Sequence, residues 1–216
     1  MSRLLLIDDH PVVQIGMKFF IENNKLFKEH DIAGTGREAV HYCQLAAKKK
    51  SHYDLIIMDI NLPDYEIISL VKKVRHYVPE TSVLMFSMEP PKLYVKRLIE
   101  LGVSGFVDKT APDEELLFAI RSILNGRGYF SSDVLMEAIG DNGQPAEEHS
   151  VHKLSDRESE ILSLMVKGKN TQEISDILGL HKSSIATYRS RVFQKIGVSS
   201  NFDLYKWALK EGLIFP

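Results

Sequence analysis

A chain of 216 residues is long for one compact domain and comfortable for two, and 44% hydrophobic with 26% charged residues is a globular composition, excluding fibre and wholesale disorder. No apolar run reaches the roughly 18 residues of a membrane span, no signal-peptide pattern opens the chain, and the single Cys43 excludes an intramolecular disulfide, so a cytoplasmic protein with no membrane partner is expected. The formal charge of -2 is uneven: Lys and Arg against Asp and Glu count 17 to 19 in residues 1–139, 0 to 3 in 140–151 and 10 to 7 in 152–216, so only the C-terminal part is basic and open to a nucleic-acid partner.

The first apolar run, Leu4-Leu5-Leu6-Ile7, reads as a buried strand closed by Asp8 and Asp9. Pro11 then suits the first position of a helix, on which Val12, Val13, Ile15, Gly16, Phe19 and Phe20 give an apolar face. His10, at the entry to that helix, is read as a polar loop residue in preference to a metal ligand. A weak strand at Ile32-Ala33-Gly34 precedes a helix from Gly36 with Cys43 on its core side, and Lys48-Lys49-Lys50 suits the helix's C-terminal dipole.

The wholly apolar Leu55-Ile56-Ile57-Met58 predicts a strand buried on both faces, ending at Asp59. Asn61-Leu62-Pro63 turns the chain into a loop, so the Asp59 carboxylate stands at the carboxyl edge of a sheet, where ligands of open α/β folds collect. Two more strand ends carry chemistry. Ser87 closes Val83-Leu84-Met85-Phe86, and Lys109 follows Gly105-Phe106-Val107-Asp108. Clustered carboxylates repel, a cost that a divalent cation removes, and Mg²⁺ suits a site with oxygen ligands and a phosphate. An aspartate that attacks a phosphodonor gives an acyl phosphate. Helices are predicted on Ile67 to Val74, from Lys92 to Leu101 after Pro90-Pro91, and from Pro112 to about Leu124. Strand and helix alternate five times, which predicts a doubly wound α/β architecture with a five-stranded parallel sheet.

Residues 126–151, with a helix expected within 131–139 and a Gly- and Pro-containing stretch at 140–151, read as a linker. Beyond it only helical signals remain. Ser155 and Glu158 form a capping box, Gly168 closes the first helix, Thr171 opens a second that stops at Gly179, and His181-Lys182-Ser183-Ser184 opens a third reaching Ile196. A fourth spans about Asn201 to Leu209. Two short helices around a glycine-containing turn make a helix-turn-helix, whose second helix enters the DNA major groove.

Residues 1–125 resemble the receiver domain of two-component response regulators, through Asp8-Asp9, Asp59 with Leu62-Pro63, Ser87, and Phe106 with Lys109. The resemblance implies a flavodoxin-like fold in which Asp59 is the phosphoacceptor, and Asp9, Asp59 and the backbone carbonyl of Asn61 hold Mg²⁺, with Asp8 acting through water or directly. It also implies that Ser87 and Phe106 form a switch pair and that Lys109 contacts the phosphoryl group. One position departs: receivers commonly carry glycine four residues after the loop proline, and here that residue is Ile67.

Residues 152–216 resemble the DNA-binding domain of LuxR-type regulators, through Leu154-Ser155, Arg157-Glu158, Gly168, Glu173-Ile174, Leu178-Gly179 and Lys195-Ile196-Gly197-Val198. Together the halves resemble the NarL/FixJ class, which implies a phosphorylation-controlled, homodimeric transcription regulator whose partners are DNA and a histidine kinase or phosphotransfer protein. Base-edge positions match Ala186, Thr187 and Ser190, with Lys182, Ser183, Ser184, Tyr188, Arg189, Arg191 and Lys195 beside them; the class often has lysine and histidine where this chain has Ala186 and Tyr188. The alternatives are a DNA-binding or protein-sequestering factor that works without phosphate, and a phosphatase with an aspartyl-phosphate intermediate. No enzyme beyond self-catalysed phosphorylation and dephosphorylation is expected.

Overall fold

The computed structural model describes residues 2–88, 95–131, 134, 154–210 and 213, which fall into two compact units divided between residues 134 and 154. The predicted 131–139 helix, apart from Ser131 and Val134, and the 140–151 stretch lie outside the described residues, as do residues 89–94 at the predicted start of the Lys92 helix.

The N-terminal unit runs β1 (Arg3–Ile7), α1 (Pro11–Asn23), β2 (Glu29–Ala33), α2 (Gly36–Lys49), β3 (Leu55–Met58), α3 (Ile67–Tyr77), β4 (Ser82–Ser87), α4 (Val95–Glu100), β5 (Gly105–Asp108) and α5 (Asp113–Leu124). Its five strands are all parallel in the order β2-β1-β3-β4-β5, with β1 and β3 side by side in the register Ile7 to Met58. Side chains alternate across a strand, so Leu4, Leu6, Leu55, Ile57, Leu84 and Phe86 meet α1 and α5 on one face. Both faces are covered, which is why β1 and β3 need unbroken apolar runs.

One helix differs from its sequence reading. On α1 the core side consists of Met17, Phe20 and Ile21 with Val13 packed beside them, whereas Val12, Ile15 and Phe19 are exposed at 82%, 70% and 70%. Apolar residues occur on both sides of this helix, and the sheet takes only the 13-17-20 stripe. The turn after α5 also belongs to this unit: Tyr129 bridges to Gly105 beside β5 and its hydroxyl donates to Glu115, so residues assigned to the linker pack on the sheet.

The C-terminal unit is α6 (Asp156–Val166), α7 (Thr171–Leu178), α8 (Lys182–Ile196) and α9 (Asn201–Lys210). Capping boxes start α6 (Ser155 with Glu158) and α7 (Asn170 with Glu173), and Gly179 ends α7 at φ 63°, a left-handed position that side chains resist. Helix α8 threads both small cores: Ile185 joins Ile161, Leu164 and Ile174, while Val192 and Ile196 join Leu162 and Leu204. Its opposite side is left to solvent.

Candidate functional site

At the carboxyl edge of the sheet, backbone hydrogen bonds continue past the strand ends and fix the reactive residues. Asp8 N donates to Ala33 O at 3.1 Å, Asp59 N to Ile7 O at 2.8 Å and Lys109 N to Ser87 O at 3.0 Å. Asp8, Asp59 and Lys109 thus come from three strands to one point, at the β1/β3 position where the chain's winding reverses direction. Lys109 Nζ stands 2.7 Å from both Asp8 Oδ2 and Asp59 Oδ2, and Asp59 Oδ1 accepts from Asn61 N at 3.1 Å.

Asp8 and Asp59 are buried at 1% and 3% exposure. Ligand atoms of Asp8, Asp9, His10 and Asp59 all lie within 4.8 Å of one another. Three carboxylates therefore face one ammonium. Burial pushes the Lys109 pKa down, but the hydrogen bonds and charges of Asp59 and Asp8 outweigh it and leave it raised, so this lysine stays charged. Asp9 Oδ1 is buried and accepts no hydrogen bond, with only an ion-pair contact to His10, and Asp8 Oδ2 has Lys109 alone, at 2.7 Å. Three carboxylates in negative excess, one with an oxygen that accepts no hydrogen bond, fit a hard divalent cation.

His10 stays an exposed polar residue at the entry to α1, as its sequence reading has it, and its ring lies beside this cluster. Its Nδ1 lies 3.0 Å from Asp9 Oδ1 and 3.3 Å from Asp8 Oδ1, and its backbone N donates to Asp8 Oδ1 at 2.8 Å. Its place directly after the acidic pair, at the N-cap of α1, puts it there. Ser87 and Phe106 are both buried, at 1% and 3% exposure, so the Phe106 ring already occupies an inward position. Asn61 is exposed at the turn of the loop.

On α8 the exposed side carries Lys182, Ser183, Ala186, Thr187, Ser190 and Arg191. The Thr187 and Ser190 hydroxyls donate to the carbonyls of Ser183 and Ala186, at 3.0 and 3.1 Å, leaving their oxygens free to accept. Ser184, Tyr188 and Arg189 are half-buried: Tyr188 packs on the core, and Arg189 donates to Asn201 Oδ1 at 2.8 Å. Lys195, expected on DNA, has its ammonium 2.6 Å from the buried Glu158 carboxylate.

Comparisons with known proteins identify the family and the fold. Residues 4–121 match the response regulator receiver domain family, and residues 152–208 match the luxR family of bacterial regulatory proteins. The response regulator UvrY of Escherichia coli is 28% identical over 214 residues, covering 99% of this chain and 96% of UvrY. The transcriptional regulatory protein MctR of Rhizobium johnstonii is 29% identical over 212 residues, 98% of this chain and 95% of MctR. Among solved structures, RcsB of Salmonella enterica serovar Typhimurium bound to promoter rprA with the phosphomimetic BeF3- superposes with a TM-score of 0.72 at 21% identity, covering 96% and 98% of the two chains. A structure of two RcsB dimers bound to two parallel DNAs gives 0.57 at 20% identity, with 95% and 97% covered. Among the described residues no helix is long and apolar enough to cross a membrane.

Proposed function

We propose how the residues divide the work in a chain that belongs to the NarL/FixJ class of response regulators, phosphorylation-controlled DNA-binding transcription regulators of two-component systems. Asp59 is the phosphoacceptor. The observation that carries this is the acidic excess around Lys109 at the β1/β3 edge, where Asp59 is buried at a strand end, takes the lysine's hydrogen bond at 2.7 Å and, unlike Asp8, opens the loop that carries Asn61. The Asp59 carboxylate attacks the phosphorus of a phosphohistidine or small acyl phosphate, its new O–P bond replacing the bond to the leaving group. Lys109 keeps its ammonium through the transfer and turns from neutralising Asp59 to neutralising the phosphoryl oxygens.

Asp8, Asp9, Asp59 and the carbonyl of Asn61 are the groups that would hold Mg²⁺, which when bound offsets charge on the transferring phosphoryl group. Ser87 then donates its hydroxyl to the phosphoryl group, and Phe106 on the neighbouring strand holds the inward position that this bond favours. The histidine kinase or phosphotransfer protein that supplies the phosphoryl group, a cytoplasmic location, and catalysis limited to the chain's own phosphorylation and dephosphorylation belong to this reading.

Helix α8 enters the major groove, with Ala186, Thr187 and Ser190 towards base edges and Lys182, Ser183 and Arg191 towards phosphates. Ser184, Tyr188 and Arg189 support the helix from its half-buried side, and Lys195 stands at its end. RcsB is bound to DNA as dimers, and the same arrangement here places one subunit on each half-site, about one helical turn apart. The test is labelling with acetyl phosphate and Mg²⁺, followed by DNA binding. Asp59→Asn should abolish both labelling and the gain in DNA affinity, and stoichiometric labelling of that variant elsewhere would refute the assignment.

A further inference from the structure

The loop that follows Asp59 lacks the usual receiver glycine at Ile67, and its path is held by a contact outside the acidic cluster. Asp64 reaches the first turn of α2: its Oδ1 accepts from Gly36 N at 2.9 Å and its Oδ2 from Arg37 N at 3.1 Å. These are two of the N–H groups that a helix N-terminus leaves without intrahelical partners, and Thr35 supplies the next by accepting from Glu38 N at 3.1 Å. A carboxylate is also the charge that this end of the helix dipole favours, and Arg37 Nε lies 4.0 Å from Asp64 Oδ2.

The neighbouring residue makes the contact tighter. Tyr65 lies so close over Gly36 that a Cβ there would stand 2.4 Å from Tyr65 Cβ and 2.7 Å from its Cγ. The obstructing atom is at the base of the side chain, so a rotamer change cannot relieve it. Only glycine at residue 36 lets the loop lie here.

The loop is consequently pinned at both ends. Asp59 is tied to β1 and Asn61 N to Asp59 Oδ1, while Asp64 and Tyr65 are tied to α2 and Glu66 caps α3 through Ser69 N at 2.8 Å. Between these anchors Ile60 and Leu62 are buried and Asn61 and Pro63 face solvent. Two or three residues of chain leave little slack, because each spans at most about 3.6 Å. A shift of the Asp64 end is therefore felt at the Asn61 carbonyl.

We infer that Asp64 and Gly36 form a latch between the phosphoacceptor loop and α2 that sets the position of the Asn61 carbonyl for the divalent cation. Asp64 is a positioning residue: it touches neither the cation nor the phosphoryl group. The inference rests on the reading of Asp59, Asn61 and the acidic cluster given above. It also accounts for Ile67, whose buried side chain starts α3 while the latch fixes the loop.

The test uses the full chain and Mg²⁺ alone, with binding followed by calorimetry and labelling by acetyl phosphate followed across a Mg²⁺ series. Asp64→Ala should weaken Mg²⁺ binding about tenfold, as loss of an outer partner of a metal ligand commonly does. The maximal labelling rate at saturating Mg²⁺ should stay within about twofold of wild type, because Asp59, Lys109 and Asp9 are untouched. Asp64→Asn keeps a carbonyl acceptor and should recover part of the lost affinity. Gly36→Ala should reproduce the Asp64→Ala defect by moving Tyr65. Unchanged Mg²⁺ affinity in Asp64→Asn, Asp64→Ala and Gly36→Ala would overturn the latch, as would a drop in maximal rate with no change in Mg²⁺ dependence. Asp9→Ala separates the two readings: if it also leaves Mg²⁺ affinity unchanged, the metal site itself is misplaced, whereas a loss in Asp9→Ala alone condemns only the latch.

Discussion

Each unit of this protein contains a lysine set against a buried carboxylate, and the two arrangements differ in their charge balance. In the N-terminal unit Lys109 meets two buried carboxylates with a third, Asp9, beside them whose Oδ1 accepts no hydrogen bond. In the C-terminal unit Lys195 meets one buried carboxylate, Glu158, which also accepts from the backbone N and the hydroxyl of Ser155 at 2.7 and 2.8 Å. The first set is short of positive charge and of donors. The second is balanced, with three donors on one carboxylate oxygen. Chemistry requires the former, since a site already neutral and supplied with donors has little left to offer a cation or a phosphoryl group.

The comparison breaks most visibly on removal of the lysines. Lys109→Met leaves Asp8 and Asp59 buried without their cation, so the N-terminal unit should lose about 3–5 kcal/mol in metal-free buffer. Millimolar Mg²⁺ should restore part of that loss. Lys195→Met leaves Glu158 with both Ser155 donors, and Lys195 is itself partly exposed, so the C-terminal unit should lose a smaller ~1–3 kcal/mol and show no response to Mg²⁺. Trp207, the chain's one tryptophan, packs on the Leu162–Val192 core and reports the C-terminal unit by fluorescence during urea unfolding. Hydrogen exchange in β1 and β3 reports the other unit. Equal losses, both indifferent to Mg²⁺, would erase the distinction.

Acid sharpens the same contrast. Burial raises the Glu158 pKa, but the bonds from Lys195 and from the Ser155 backbone and hydroxyl outweigh it, leaving the carboxyl below its ordinary value of 4.5. A carboxyl depressed in the folded state stabilises above its unfolded pKa, and that contribution disappears as pH falls through the folded value. The Trp207 transition should therefore weaken as pH drops from about 4.5, and Lys195→Met should flatten that dependence.

Removing one carboxylate from the unbalanced set should act oppositely. Asp9→Ala relieves repulsion, so stability without metal should hold or rise by up to about 1 kcal/mol while Mg²⁺ affinity falls. A clear loss of metal-free stability would mean that Asp9 serves the fold through His10.

The sequence made the strand ends legible because each depends on a local pattern: an all-apolar run closed by Asp8, Asp59 or Ser87, and the short run Gly105-Phe106-Val107-Asp108 before Lys109. The Ser155–Glu158 capping box and the glycine stops of the C-terminal helices were legible for the same reason, whereas the Asn170–Glu173 box emerged only in the structure. What escaped depends on partners far apart in the chain. The bond from Asp64 to the first turn of α2 joins residues 28 and 27 apart, and Lys195 finds Glu158 at a separation of 37. Charge alone cannot say whether a lysine near a helix end faces phosphate or a buried glutamate. Helix α1 misled because its apolar residues occupy both sides, and only contact with the sheet selects Met17, Phe20 and Ile21.

The smallest expected effects concern α8, where the comparison becomes one between exposed and engaged cations. Arg191 is exposed and Lys182 opens the helix, whereas Arg189 is bonded to Asn201 and Lys195 to Glu158. Arg191→Ala should reduce the slope of log affinity against log salt by about one unit, equally on specific and random DNA, because it releases one phosphate contact. Lys195→Ala should change that slope less than Arg191→Ala does, its charge being already spent on Glu158. Thr187→Ala and Ser190→Ala remove single hydroxyls whose protons are held by the helix's own carbonyls, so each offers DNA only an acceptor. Each should cost less than about 1 kcal/mol of affinity, yet shift the preferred sequence at one position, with the salt slope unchanged. Selection from a randomised DNA pool at several salt concentrations reads all four variants together. If Lys195→Ala lowers the slope as much as Arg191→Ala while Thr187→Ala and Ser190→Ala select the wild-type sequence, then on DNA the lysine leaves Glu158 for a phosphate and the base-reading side of α8 is not the 186-187-190 side.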